Sequence, residues 1–209
     1  MDLKWKIFAL LSAVCLLTYG SVSLSHHLVT EEKLKNFTLP APTKSILSTE
    51  HWLWGTYYYT PVYSSRTSGH PLLTLKGSHL GPKLSTKEWC TAALEGSTAI
   101  RLNGKVITYN YAGLSRSMQV NCSRYHKYTQ SGRVRFRLAS GPYGDGASSR
   151  TRSYILFPYR TIASDRNRFP LGTLLYIPDA KGIAISLKNG KKFFHDGYFL
   201  VGDRGGAVR

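Results

Sequence analysis

The stretch His195-Asp-Gly-Tyr-Phe-Leu-Val-Gly-Asp-Arg-Gly-Gly-Ala-Val-Arg209 closes the sequence and decides its interpretation. An apolar strand from Tyr198 to Val201 leads into Asp203, and a Gly-Gly pair follows Arg204. Glycine permits close backbone approach and positive φ, so we expect the Asp203 carboxylate at a strand end. Upstream, Asp165 lies in a turn just before another apolar strand. Two strand-end carboxylates beside glycine turns suit acid chemistry in a small all-β enzyme.

Composition favours a β-rich domain that meets an anionic partner. The 209 residues suffice for one domain and a leader, and 14 Tyr, 19 Gly and 9 Pro indicate many short strands and turns. Lys and Arg number 28 against 11 Asp and Glu, which gives a net charge of +17. Such a charge favours nucleic acid, an anionic lipid surface or a carboxylate-bearing cell-wall glycan, without choosing among them.

The N-terminal segment predicts secretion. Lys4 and Lys6 precede an apolar run, 7–19, and small residues follow, as in a signal peptide over 1–25. An uncleaved membrane anchor is the alternative. Residues 26–48 contain Pro-Ala-Pro and predict a linker, which leaves 49–209 as the domain.

The cysteines predict one disulfide and no metal site. Cys15 falls in the leader, so Cys90 and Cys122 remain as an even pair in an oxidising compartment. Two buried free thiols are the alternative. The Cys and His spacing matches no structural zinc site. The turn-rich loop 141–147 is not a phosphate loop, because no Gly-Lys-Ser/Thr follows it. We expect no cofactor.

Several local patterns place further residues. Ser85 and Glu88 form a capping box for a helix that ends at Gly96, and Asn103-Gly104 predicts a hairpin. Residues 118–122 alternate like a strand. Residues 133–137 alternate basic with apolar, so Arg135 and Arg137 lie either on a solvated face or on an anion-binding strip. The aromatic run 51–63, which includes Tyr58, forms either a sugar-stacking wall or part of the core.

These motifs resemble a known family. Ala163-Ser-Asp165, Pro170-Leu-Gly-Thr173, Leu175-Tyr-Ile-Pro178 and Gly202-Asp203-Arg-Gly-Gly-Ala-Val208 are similar to the three-aspartate ("3D") domain of MltA-type lytic transglycosylases. The similarity covers 154–209. Gly55-Thr-Tyr-Tyr-Tyr-Thr-Pro-Val62 resembles the opening strand of MltA-like proteins. The helix with Trp89-Cys90 and the stretch His195-Asp-Gly-Tyr-Phe199 resemble the longer proteobacterial versions of the 3D domain.

The resemblance implies a fold and a reaction. The fold would be mainly β, a six-stranded double-psi β-barrel with a short helix and hairpin additions. The reaction would be non-hydrolytic cleavage of the MurNAc–GlcNAc bond of peptidoglycan in the periplasm or outer envelope of a bacterium. Asp165 and Asp203 would be catalytic-groove residues. Apart from the resemblance, we expect substrate contacts from Asp196, Tyr198, Arg204, Tyr58, Arg135 and Arg137. Arginine binds the lactyl or peptide carboxylates of a glycan well through bidentate geometry, and solvated surface charge is the alternative role of the three arginines.

The resemblance also places a third aspartate, usually taken as the acid itself, about eleven residues after Asp203, beyond Arg209. We therefore expect either a fragment of a longer protein or a degenerate member, and in both cases poor activity from these 209 residues.

Two other functions fit the same residues. One is a non-catalytic, expansin-like module that grips peptidoglycan through aromatic side chains. The other is a secreted polyanion-binding protein, which the net charge alone favours; nucleic acid is the less expected ligand. Local turn capping is the alternative role of Asp165 and Asp203, since Asp often bonds nearby backbone in turns. We do not expect His195 and Asp196 to form a metal site, because neighbours in a strand face opposite sides.

Overall fold

The computed structural model describes residues 4–10, 38–43, 47–55, 58–148, 153–165, 167–187 and 190–204. The predicted signal peptide and linker therefore lie outside the described residues, except at 4–10, 38–43 and 47–48. Within that described part, no helix has the length and apolar character needed to span a bilayer.

The described residues are mainly β, as predicted, with a single α-helix. The strands are β1 (Lys4–Leu10), β2 (Leu47–Trp54), β3 (Val62–Ser64), β4 (His70–Leu73), β5 (His79–Leu84), β6 (Ser97–Leu102), β7 (Lys105–Leu114), β8 (Val134–Leu138), β9 (Asp145–Ser148), β10 (Ser153–Ile155), β11 (Thr161–Ala163), β12 (Leu174–Tyr176), β13 (Ala184–Ser186), β14 (Lys192–Phe194) and β15 (Tyr198–Asp203). The helices are α1 (Thr86–Glu95) and two 3-10 turns, η1 (Ser131–Arg133) and η2 (Pro178–Ala180).

The chain divides into two compact units. Unit 1 comprises Met1–Thr56 and Tyr159–Arg209, and unit 2, Tyr57–Pro158, is inserted between these two segments. The range 49–209, predicted as one domain, is thus shared between the two units. The part of the chain that carries the aspartate motifs, 159–209, belongs wholly to unit 1.

Unit 1 is built on a five-stranded sheet in the order β11-β15-β12-β1-β2. The neighbours β11 and β15 run parallel, and the other pairs run antiparallel. The strands β13 and β14 form a separate hairpin. The core of this unit is apolar and comes from β12, β15 and the turns that flank β12: Phe169, Leu175, Ile177, Ala180 and Val201.

The described strands of unit 1 do not close into the predicted six-stranded double-psi barrel. The far side of β12 pairs with β1, and β2 then continues the sheet, so β2 and β11 remain as its two open edges. The residues 4–10, predicted as part of the leader, supply β1.

Unit 2 packs α1 against a four-stranded sheet in the order β3-β6-β7-β8. The predicted capping box is present: the Ser85 hydroxyl accepts from the N–H of Glu88, and the Glu88 carboxylate accepts from the N–H of Ser85. Gly96 ends the helix with φ of 75°. The predicted Asn103-Gly104 turn joins β6 to β7, with positive φ at both residues, which the side-chain-free glycine adopts readily.

The predicted disulfide is present. Cys90 of α1 is bonded to Cys122, with 5.5 Å between their Cα atoms, and both residues are buried in the core of unit 2. The residues around Cys122 do not form the strand predicted over 118–122. The N–H groups of Gln119 and Val120 both bond the carbonyl of Gly132, so the segment is tied to a turn and lacks a strand partner. The bridge thus joins the helix to a loop.

Candidate functional site

Unit 1 brings the two motif aspartates to the same end of neighbouring strands. β11 and β15 are parallel, and Ala163 pairs with Asp203 at the carboxyl end of each strand, after a register shift between Ile162 and Ala163. The N–H of Ser164 donates to the carbonyl of Asp203 at 3.1 Å, which continues the pairing past the end of β11. Asp165 is the next residue. The two aspartates predicted from separate motifs therefore lie at the same end of the β11–β15 pair, the carboxyl end of both strands.

The turn after β11 fixes Asp165. Its carbonyl accepts from the N–H groups of Arg168 (3.1 Å) and Phe169 (3.0 Å), and its Oδ1 accepts from the N–H of Asn167 at 2.9 Å. Phe169 is buried in the core of unit 1 and anchors the turn. The side chain of Asp165 therefore caps a local turn, one of the two roles considered from the sequence, and the residue stays partly exposed.

His195 precedes β15 as a buried, neutral imidazole. The N–H of Gly197 donates to Nδ1 at 2.9 Å, so the proton is on Nε2, which donates to the carbonyl of Tyr159 at 2.6 Å. Burial lowers the pKa of His195, although the Tyr159 carbonyl opposes this shift. Nδ1 lies 3.9 Å from Oδ1 of Asp196 and cannot donate to it while it accepts from Gly197. His195 and Asp196 therefore bond different partners and are not hydrogen-bonded to each other.

Asp196 is a buried carboxylate with three partners. It forms an ion pair with Arg160, and it accepts from the N–H groups of Leu39 and Tyr198, each at 3.0 Å. Burial raises the pKa of Asp196, but the two N–H donors and the Arg160 guanidinium outweigh burial and lower the pKa overall. The carboxylate is therefore ionised near neutral pH.

Asp196 and Tyr198 together hold an earlier segment of the chain. Besides the bond from Leu39 to Asp196, the hydroxyl of Tyr198 donates to the carbonyl of Pro40 at 2.8 Å. Tyr198 also packs against Tyr176, with 5.1 Å between ring centroids. Both residues are buried, so the structure gives them a part in ordering 39–40. Their substrate-binding role stays a prediction.

The remaining predicted contacts lie in different places. Arg204 follows β15 in unit 1 and is exposed. In unit 2, Tyr58 is 46% exposed and its hydroxyl lies 2.6 Å from that of Ser97. Arg137 forms an ion pair with Asp145, and Arg135 is buried on the same strand. Their roles in binding stay predictions.

Sequence reasoning missed Arg160, which completes the cluster around Asp196. Its guanidinium also donates to the carbonyl of Tyr198 at 3.3 Å and stacks over the ring of Phe193. Arg160 lies 36 residues before Asp196, and no local pattern links the two. Among the described residues, no group of three or more His, Cys, Asp or Glu is placed to hold a metal ion.

Comparisons with known proteins identify similar solved structures only. No protein-family model and no curated protein sequence matches the chain. A crystal structure of E. coli MltA with bound chitohexaose is 20% identical over 73% of this chain, with a TM-score of 0.45. Another crystal structure of E. coli MltA, described as revealing a unique lytic transglycosylase fold, is 18% identical over 72% of this chain, with a TM-score of 0.40. The chain spans 60% of the length of each.

Proposed function

We propose that this protein acts on the glycan strands of peptidoglycan as a lytic transglycosylase-like protein, with Asp165 and Asp203 in its catalytic groove. The observation that supports this best is the parallel pairing of β11 with β15. Ala163 pairs with Asp203 after a register shift, so the two aspartates that the motifs single out share the carboxyl end of adjacent strands. A glycan laid across that edge would meet both.

The proposed reaction breaks the glycosidic bond between MurNAc and GlcNAc without water. A carboxylic acid protonates the bridging oxygen, and the resulting carboxylate then removes the proton of the sugar's own 6-hydroxyl. That oxygen attacks C1 and closes a 1,6-anhydro ring, so one acid serves both steps, unlike the pair used in hydrolysis. Nearby carboxylates favour the protonated form of such an acid, because like charges disfavour ionisation. Asp165 and Asp203 would supply that negative charge around the third aspartate of the family motif.

The proposed function implies a cellular location and a ligand. We propose a secreted protein of the bacterial envelope that binds peptidoglycan, and that also attracts other anionic envelope polymers through its net charge of +17. Peptidoglycan binding that survives competition by DNA would support this ligand. Binding that DNA abolishes, and that falls steeply with salt, would instead support a general polyanion-binding protein.

The test of the site uses cosedimentation with purified peptidoglycan. We expect D203N and D165N each to weaken binding about tenfold, the effect of losing roughly 1.4 kcal/mol of charged hydrogen bonding. D179N is the matched control: Asp179 is exposed in η2, which follows β12 at the opposite end of the sheet from Asp203. Equal binding by all three variants and the wild type would exclude this edge as the glycan site.

The non-catalytic, wall-binding alternative is favoured by the turn around Asp165, since its Oδ1 already accepts from Asn167. Product analysis separates the two functions. Full-length protein is incubated with peptidoglycan, and the soluble fragments are weighed by mass spectrometry. Anhydro products that disappear with D203N support the enzyme. Binding without any anhydro product supports the module.

A further inference from the structure

One strand of unit 2 carries a one-sided row of arginines. Val134 and Phe136 of β8 are buried in the core, so Arg135 and Arg137 project from the opposite face of the sheet, because side chains alternate along a strand. β8 lies at the edge of its sheet, and its neighbour opposite Arg135 is Gly113, over which the side chain of Leu75 packs.

Arg135 is the unusual member of this row. The residue is 6% exposed, and its Nη1 donates to the carbonyls of Val134 (2.9 Å) and Arg133 (3.3 Å). Across the described residues of unit 2, no carboxylate pairs with it. Burial lowers the pKa of Arg135, as expected for a desolvated cation. A buried charge without a counter-charge is costly, and an incoming anion would remove that cost.

Arg137 is oriented beside it. Asp145 forms an ion pair with Arg137 and also accepts from the N–H groups of Ser140 (2.7 Å) and Gly141 (3.3 Å). The carboxylate of Asp145 is thereby fixed by the backbone, and it holds the guanidinium in one place. The side chain of Arg137 is still 43% exposed, which leaves a face open to a ligand.

The field around this row favours anions. Unit 2 contains 14 Lys and Arg against three Asp and Glu, which gives +11. Two of the three acids are already paired, Glu88 with Arg66 and Asp145 with Arg137. Burial raises the pKa of the third, Glu95. Such a surface attracts anions from solution.

We propose that Arg135 and Arg137 form an anion-binding site on unit 2 that takes a carboxylate of the peptidoglycan ligand, from its lactyl group or its stem peptide. Guanidinium groups bind carboxylates through paired, charge-assisted hydrogen bonds. This assignment rests on the proposed function for its ligand, but it concerns residues other than the aspartates of unit 1.

The test compares a charged and an uncharged glycan by calorimetry. A muramyl peptide with free carboxylates is the first probe, and chitohexaose, which has none, is the second. We expect R135Q to weaken binding of the muramyl peptide at least tenfold and to leave chitohexaose binding unchanged, with R135K intermediate. R101Q removes an equal charge from an exposed position of β6 and should change either affinity less than twofold.

A second measurement covers the case in which R135Q does not fold. In wild-type protein, the Arg135 Nε–H resonance should shift when the muramyl peptide is added and stay fixed with the form whose carboxylates are amidated. An equal loss for both glycans, or a fixed resonance, overturns the site. A resonance that moves with inorganic phosphate alone keeps an anion site but overturns its glycan assignment. If D203N loses all glycan binding while the Arg135 resonance still responds to phosphate, the anion site on unit 2 is intact. The missing glycan binding is then a property of the aspartate site in unit 1.

Discussion

The Cys90–Cys122 disulfide provides the prediction with the clearest magnitude. It closes a loop with a sequence separation of 32 residues, between α1 and the loop that follows β7. For a loop of that length, the chain-entropy relation gives a loss of about 12 cal/mol/K in the unfolded state, or about 3.7 kcal/mol at 25 °C. Breaking the bridge should therefore lower the free energy of unfolding of unit 2 by about that amount.

The perturbation is C90A/C122A, compared with C15A, which replaces the third cysteine and should change nothing in unit 2. The chain has two units, so a single unfolding transition is not assumed. Hydrogen exchange of the backbone amides of α1 and β7, followed as a function of urea, reports unit 2 by itself. Opening free energies that differ by less than about 0.5 kcal/mol between C90A/C122A and C15A would refute the loop-closure reasoning, since they would fall within ordinary additivity error.

Three further predictions concern single residues. Burial lowers the pKa of His195, so the folded state takes up a proton less readily than the unfolded state, and unit 1 loses stability as pH falls below about 6.5. Hydrogen exchange in unit 1, measured from pH 7 to 5, should show this loss of stability, and H195Q should reduce it. D196N removes a buried carboxylate that pairs with Arg160 and accepts from two backbone N–H groups, so it should cost about 3–5 kcal/mol in urea unfolding, whereas a loss below about 1 kcal/mol would show that these bonds are dispensable. G132A would place a Cβ in a steric clash with the carbonyl oxygen of Val120, so we expect about 1–3 kcal/mol of destabilisation; unchanged exchange in unit 2 would argue against that close approach.

Short-range features could be predicted from the sequence, because their causes lie within a few residues. The capping box of Ser85 and Glu88 and the Asn103-Gly104 turn are local hydrogen-bond and φ requirements, and both are present. The disulfide followed from an even pair of cysteines in a chain that the sequence predicts to be secreted. The cap and the turn depend on residues close together in the sequence. The disulfide could be predicted because only two cysteines remain outside the leader.

Long-range features could not be predicted in the same way. Asp196 meets Leu39, 157 residues earlier in the chain, and Arg160, 36 residues earlier, and neither contact leaves a periodic pattern. The apolar run that begins near Ile7 predicts a leader, yet residues 4–10 pair with β2 and β12. The pairing partners lie far along the chain, so the local pattern does not indicate them, and the leader stays a prediction.

The candidate site was partly accessible from the sequence. The motifs identified Asp165 and Asp203, and the short elements around them indicated strand ends. The parallel pairing of β11 with β15 was not predicted, because register is set by partners far along the chain. That pairing is what brings the two carboxylates to one edge of the sheet.

A double-mutant cycle for glycan binding tests the central claim most directly. Affinity for a soluble peptidoglycan fragment is measured by calorimetry for wild type, D165N, D203N and D165N/D203N, with D179N as control. If the two carboxylates contact one ligand at the shared edge of β11 and β15, each single change weakens binding and the two effects are non-additive by about 0.5–3 kcal/mol. Affinities for all variants equal to that of D179N would contradict the claim.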